Sequence, residues 1–554
     1  MLGRWNTAAL GCLVACLSIC LPASAETVLH TLPRNTVVAV RVSQLDHLDH
    51  LVQPLAATFG IDMPAVGDIA ADLEGVDMGG DVAVGLLRLG TRNYTPFVLL
   101  PVNDYKAFVQ AGDGDAGLVY TPLTIAGEEL IGSQRGKWAL IINPIEDVND
   151  LGRLDEKFAS KITDAVNEET LVTIAVPPQG VSELRRIASS RSEAPYRVAS
   201  RRRMLANRKM NWTSISDWEE RLTLYRAPII HLCKSCDTMV LSADVGEQQS
   251  IDLELHLLSE KPPTIADTQI TLPAVEVDGQ RHFAIAEGPW NSPWVETAVK
   301  MYVDHASTGS DAVGITYFST AEFNSLRKTV MKASGMIQSM RALAITPEKD
   351  APSMSNSALL LEVTNSEEFL SVVDGAMTEW NELVNKSRRN IDFVFESKPL
   401  VVGDHSGKRY SIDLPSAFRE EDVPEVRQVM DKMYGRNGLM VADVLPVDKT
   451  HVLISDLPDA LRDGLLKEAT DAQTQPVDNP AGWTLVLDPA AIQDWNNLVQ
   501  RHVNGENTVG WKPKPLECES NVVIEVTTQS PTLTIRSTIP GDVVQALGKL
   551  VRSE

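Results

Sequence analysis

The strongest constraint on the fold is a phrase that occurs twice. Thr173-Ile174-Ala175-Val176-Pro177-Pro178 is followed by Val181, Leu184 and Ile187 at helical spacing. Thr484-Leu485-Val486-Leu487-Asp488-Pro489 is followed by Ile492, Trp495 and Leu498 in the same way. In both, a short apolar strand runs into a proline suited to the first turn of a helix. Other segments match in the same order. Thr31-Leu32-Pro33 before Val37–Val42 corresponds to Thr271-Leu272-Pro273 before His282–Ala286. Phe97–Val102 leads into a helix with Tyr105 and Phe108, as Ala358–Val363 leads into one with Phe369. Leu140-Ile141-Ile142-Asn143 is paired with Val452-Leu453-Ile454-Ser455, and amphipathic helical stretches at 45–58 and 293–304 with each other. Cys236-Asp237-Thr238 and Cys518-Glu519-Ser520 each open an alternating hairpin, with Ile251, Leu253 and Leu255 in one and Leu533, Ile535 and Ser537 in the other. The halves differ by insertions of a kind that loops tolerate.

These correspondences predict an α+β fold of two tandem, duplicated halves, with mainly antiparallel sheets packed against helices on one face. Lys261-Pro262-Pro263 marks the boundary, because two prolines continue neither a helix interior nor a central strand. The expected organisation is a signal peptide at 1–25, a first repeat at 26–261 carrying a basic helical excursion at about 185–230, a Pro-containing linker at 262–269 and a second repeat at 270–554.

The signal rests on Arg4, the uncharged apolar run Ala8–Leu21 and the small-x-small pattern Ala23-Ser24-Ala25 before Glu26, with cleavage expected after Ala25. The alternative is a lipoprotein start at Cys16, read from Leu13-Val14-Ala15-Cys16; the apolar residues after Cys16 argue against it. No later stretch has the length of a transmembrane helix. The expectation is an exported protein, periplasmic or secreted, with no transmembrane anchor. The chain of 554 residues carries a net charge of −24, which favours solubility and disfavours nucleic acid as a partner. Beyond the leader only Cys233, Cys236 and Cys518 remain, too few for a disulfide framework. Cys233-Lys234-Ser235-Cys236 follows a helix and precedes a strand, the reverse of a thioredoxin-type pair, and reads as a local disulfide; Cys518 is the other candidate partner for Cys236.

At this point the opening Leu32-Pro33 with Val37–Val42, the segment Phe97–Asp104 before a helix, and Ala126-Gly127-Glu128-Glu129 ahead of a strand resemble a group of uncharacterised exported proteins of planctomycete-type bacteria. The resemblance covers most of the chain. It implies export and brings no activity, cofactor or site residue with it.

The short motifs weaken on inspection. Gly112-Asp113-Gly114-Asp115-Ala116-Gly117 fits a dinucleotide fingerprint, yet a helix precedes it and a strand follows, the inverse of the required order. As a calcium loop from Asp113 it has Thr124 where a bidentate glutamate belongs. His47 and His50 flank the stripe of Leu45, Leu48, Leu51 and Leu55 without a third ligand. Ser325-Leu326-Arg327-Lys328 matches S-x-x-K without its companion motifs. Trp290 and Trp294 bracket a loop that suits ring stacking or rim packing. No motif assigns a catalytic residue, a metal or a cofactor.

One feature exceeds background. Arg185, Arg186, Arg191, Arg197, Arg201, Arg202, Arg203, Arg208 and Lys209 face Glu193 alone within an acidic chain. The plainer reading is a solvated helix face paired with the protein's own carboxylates. The sharper one is a dock for an acidic protein or anionic polymer, centred on Arg197, Arg201, Arg202, Arg203 and Arg208. The first functional expectation is therefore a non-enzymatic exported binding, scaffold or envelope-associated protein. The alternatives are a periplasmic carrier of an apolar, lipid-like ligand, and then an enzyme of unrecognised type.

Overall fold

A computed structural model describes residues 27–44, 74–89, 93–125, 127–143, 151–166, 170–192, 236–246, 249–259, 271–273, 280–290, 320–386, 394–417, 423–472, 474–476, 482–504, 514–529 and 532–552. The leader with Cys16 and Ala25, the stretches 45–58 and 293–304, the linker 262–269, Cys233, and Arg197, Arg201, Arg202, Arg203 and Arg208 lie outside the described residues. The chain divides into two compact units. The first comprises Met1–Arg186, Cys233–Pro262 and Gln529–Glu554; the second comprises Ile187–Leu232 and Pro263–Thr528.

In the first unit, strands β1 (Thr36–Val42), β2 (Val82–Leu89), β3 (Asn93–Pro101), β4 (Thr121–Ile125), β5 (Glu128–Arg135), β6 (Trp138–Ile142), β7 (Val172–Val176), β8 (Thr238–Val245) and β9 (Ile251–Leu258) join the helices α1 (Tyr105–Ala111), α2 (Glu156–Asp164) and α3 (Pro178–Ser192), and a further helix spans Gly541–Arg552. Every pairing is antiparallel, and the order is β4-β5-β6-β3-β2-β1-β7-β8-β9. The strand Thr532–Ile539 continues that order on the far side of β9, with Ile535 opposite Leu255 and Leu533 opposite Leu257. Local chemistry places the helices. The Asp104 carboxylate caps α1 by accepting from the Lys106 and Ala107 amides at 3.0 Å, and Asp155 caps α2 by accepting from Lys157.

The sheet is apolar on both sides. Phe97 and Leu99 join Ala39, Ala83, Leu140 and Ile142 beneath Ala159 and Ile162 of α2. The alternate residues Leu100, Val42 and Val82 pack on the other side with Phe108 and Val109 of α1. Helices therefore cover both faces, where the sequence reading placed them on one. A strand sandwiched this way reads as a continuous apolar run, as Phe97-Val98-Leu99-Leu100 does.

The second unit holds β10 (Thr271–Pro273), β11 (His282–Pro289), β12 (Ile337–Ile345), β13 (Ser357–Val363), β14 (Val394–Val402), β15 (His405–Asp413), β16 (Met440–Pro446), β17 (His451–Ser455), β18 (Thr474–Pro476), β19 (Gly482–Leu487) and β20 (Val522–Gln529). Its helices are α4 (Thr320–Ser334), α5 (Ser366–Lys386), α6 (Val423–Tyr434), α7 (Asp459–Asp471) and α8 (Pro489–Asn504). The order is β14-β15-β16-β17-β13-β12-β11-β19-β20, again antiparallel throughout, while β10 and β18 form a separate pair. Ala358, Leu360 and Leu453 face Leu465 and Leu466 of α7, and Leu361, Val363 and Val452 face Phe369 and Val372 of α5. This unit too carries helices on both faces.

Two details recur. The β1–β2 register slips between Thr36 and Val38, and the β11–β12 register slips between His282 and Ala284. The skipped residues each meet the helix that follows the neighbouring strand. A Cβ on Gly180 of α3 would stand 1.8 Å from the Val37 carbonyl oxygen, so only glycine fits there. Phe283 stacks on Trp495 of α8 with ring centroids 5.0 Å apart. One expected match shifts by a residue. Leu140 packs on the α2 side, whereas Val452 faces away from α7 and its neighbour Leu453 faces it.

Candidate functional site

The basic segment begins on α3, and the structure shows how that helix is rooted. Pro178 occupies its first position, and the Val181 amide donates to the Pro177 carbonyl at 3.0 Å. One turn on, Glu183 is almost fully buried, at 1% exposure. Arg88 of β2 donates Nη1–H to Glu183 Oε2 at 2.9 Å, and Arg186 donates Nε–H to Oε1 at 2.9 Å. The Tyr94 hydroxyl of β3 makes a short contact to the same Oε1. The hydrogen bond from Arg186 pulls the Glu183 carboxyl down to about 2, against the opposing effect of burial. A single carboxylate thus holds two guanidiniums and a phenol, and α3 is fastened to β2 and β3 just where the cationic run starts. Sequence reading passed over Glu183. Its spacing of three from Arg186 was the local signal, but Arg88 lies 95 residues away.

The second unit contains a larger charge cluster that the sequence did not announce. Asp443 of β16 is fully buried and accepts both arms of Arg409 of β15 at 2.7 Å each. Arg462 of α7, 3% exposed, makes a short contact to the same carboxylate. Asp459, in the first turn of α7, accepts from Arg409 and Arg436 at 2.7 Å. The bidentate fork is the geometry that fixes an arginine against a carboxylate. Arg409, Asp443, Arg462 and Asp459 stand on β15, β16 and α7, so the cluster locks that helix to two strands.

The remaining sequence candidates resolve into structural parts. Gly112 ends α1, and the Gly114 amide donates to the Val109 carbonyl at 2.9 Å. Asp115 accepts from the Gly117 amide at 2.9 Å. The glycine-rich stretch is thus a helix-terminating turn. Trp290 donates its indole N–H to Ser334 Oγ at 2.9 Å and packs against the α5-side core. Ser325 and Lys328 lie exposed on α4. Cys236 is buried and Cys518 is half-buried. No helix among the described residues is long and apolar enough to cross a membrane. Comparison with known protein families, with curated proteins and with solved structures finds no match.

Proposed function

We propose that this is an exported, non-enzymatic binding or scaffold protein, built by duplication of one α+β fold, which docks an acidic protein or anionic polymer through the cationic run that leaves α3. The observation that carries the docking role is the Glu183 cluster. It neutralises Arg186, the second cation of the run, and pins the base of the helix to the sheet. The cations farther along the sequence, Arg197, Arg201, Arg202, Arg203 and Arg208, follow that fixed helix in the chain. A guanidinium series of this density suits carboxylate, phosphate and sulfate groups. Duplication is supported by the strand orders: β3-β2-β1-β7-β8 runs as β13-β12-β11-β19-β20 does. It is supported again by the two register slips, since a bulge is a specific backbone feature that descendants of one fold keep. Export is supported by the leader-like pattern Ala8–Ala25.

The test is retention on an anionic polymer column. The full chain should bind at low salt and elute as salt rises, and Arg201→Glu, Arg202→Glu and Arg203→Glu combined should abolish retention. A wild-type protein that flows through at low salt contradicts the docking role.

A further inference from the structure

The first unit holds a buried cation, Arg135, with no counter-charge among the described residues. Arg135 ends β5, and its register partner across the turn to β6 is Trp138. Alternation puts its side chain on the same face as Leu140 and Ile142, the face that α2 covers. Only 7% of Arg135 is exposed. Its Nη2 makes a short contact to the Leu151 carbonyl, and its buried Nη1 has no acceptor among the described residues. Neither Arg135 nor its neighbour Arg153 pairs with a carboxylate among the described residues, although the chain holds 74 acidic residues against 50 basic ones.

Physical chemistry makes this arrangement unstable by itself. An arginine does not shed its proton under any ordinary condition, so burial cannot be relieved by neutralisation. An unpaired buried charge carries a heavy desolvation penalty. Burial pushes the Arg135 pKa down, the nearby Tyr120 pushes it the other way, and the Arg153 charge pushes it down again. Arg135 touches the carbonyl of Leu151, and Arg153 follows two residues later on that same stretch, so a second guanidinium stands on the segment that the buried one holds. Tyr120 packs against the core cluster that holds Trp138 and Leu151, and so brings a phenol to the same side of the unit.

We propose that Arg135 and Arg153, with Tyr120, form a receptor for an oxyanion, a carboxylate or phosphate group, which completes the hydrogen bonding of Arg135 Nη1. Arg135 supplies the fixed, desolvated donor. Arg153 is exposed on the bridge it makes with Pro33 and supplies the second cation at the solvent side. The site is separate from the α3 run and stands whether or not that run docks a partner. The competing occupant is a carboxylate of this chain, and Glu146, Asp147 and Asp150 are the nearest in sequence to Leu151.

The experiment is thermal unfolding of the full chain carrying Arg201→Glu, Arg202→Glu and Arg203→Glu, which removes the principal rival anion site. Inorganic phosphate and acetate are titrated against sodium chloride at matched ionic strength. A ligand that binds only the folded state raises Tm with its concentration, and a rise of at least ~2 °C beyond chloride is expected for one of the two anions. Which anion acts identifies the group. Arg153→Gln, at an exposed position that spares the fold, should cut the rise by more than half, and Arg135→Lys should abolish it. No rise beyond chloride overturns the proposal, as does a rise that both variants retain. A third variant, Glu146→Gln with Asp147→Asn and Asp150→Asn, decides the remaining case. If it lowers Tm in the Arg135 protein and not in the Arg135→Lys protein, the chain supplies the anion itself and the proposal fails.

Discussion

At the scale of single residues, charge is stabilising here where it is shared. Glu183 is nearly inaccessible yet ionised, because three donors converge on its two oxygens. Its carboxyl titrates at about 2 in the fold against an ordinary 4.5. A depressed carboxyl pKa contributes stability that is full above the ordinary value and is lost as pH falls towards the folded one. Glu183→Gln should therefore destabilise the protein by about 1–3 kcal/mol at pH 6, where Arg88 and Arg186 lose their charge partner. The gap between variant and wild type should close as pH falls from about 4.5 to about 2. Urea unfolding of both proteins across that range measures it, and a gap independent of pH would mean that the carboxylate charge is not what fastens α3. His502 behaves oppositely in sign of charge. Burial lowers its pKa, and the charges of Lys432 and Arg501 add to that effect, so the neutral imidazole sits against Ser353 Oγ at 3.0 Å. Its share of stability is present above the ordinary imidazole pKa and is lost as pH falls below it.

At the scale of elements, the strand-to-helix junctions were legible and the contacts between elements were not. Pro178 and Pro489 announce α3 and α8, because proline fits the first helical position and few others. The second face of each sheet was legible only in hindsight. Ala358-Leu359-Leu360-Leu361 has no alternation, which is what burial on both sides produces. The Asp443 cluster was not legible at all. Arg409 and Arg462 approach Asp443 from separations of 34 and 19 residues, and only the strand order brings them together. The pair at its centre is buried, so breaking it leaves an uncompensated charge. Asp443→Asn should destabilise the second unit by about 3–5 kcal/mol. Asp459→Asn, at the exposed margin of the same cluster, should cost no more than about 1 kcal/mol. Denaturant unfolding of the two variants tests the ranking, and equal losses would contradict it. Edge strands β4 and β14 each carry a proline, Pro122 and Pro399, a device that discourages pairing with a further strand.

At the scale of the whole molecule, an acidic chain keeps a concentrated cationic run, and the account turns on what that run is for. Cations this dense repel one another, so a counter-charge is needed, either from the protein's own surface or from a partner. Self-pairing predicts that the run contributes to folding stability; docking predicts that it does not. Each unit has helix-covered core clusters built from described residues alone, which is in keeping with the second role. The most direct measurement is the Tm of the full chain against that of Arg201→Glu, Arg202→Glu and Arg203→Glu combined, at low ionic strength and again at high. The docking account predicts the same Tm for both proteins at each ionic strength. A variant that melts lower at low salt and recovers at high salt would show the arginines paired within the protein, and would contradict it.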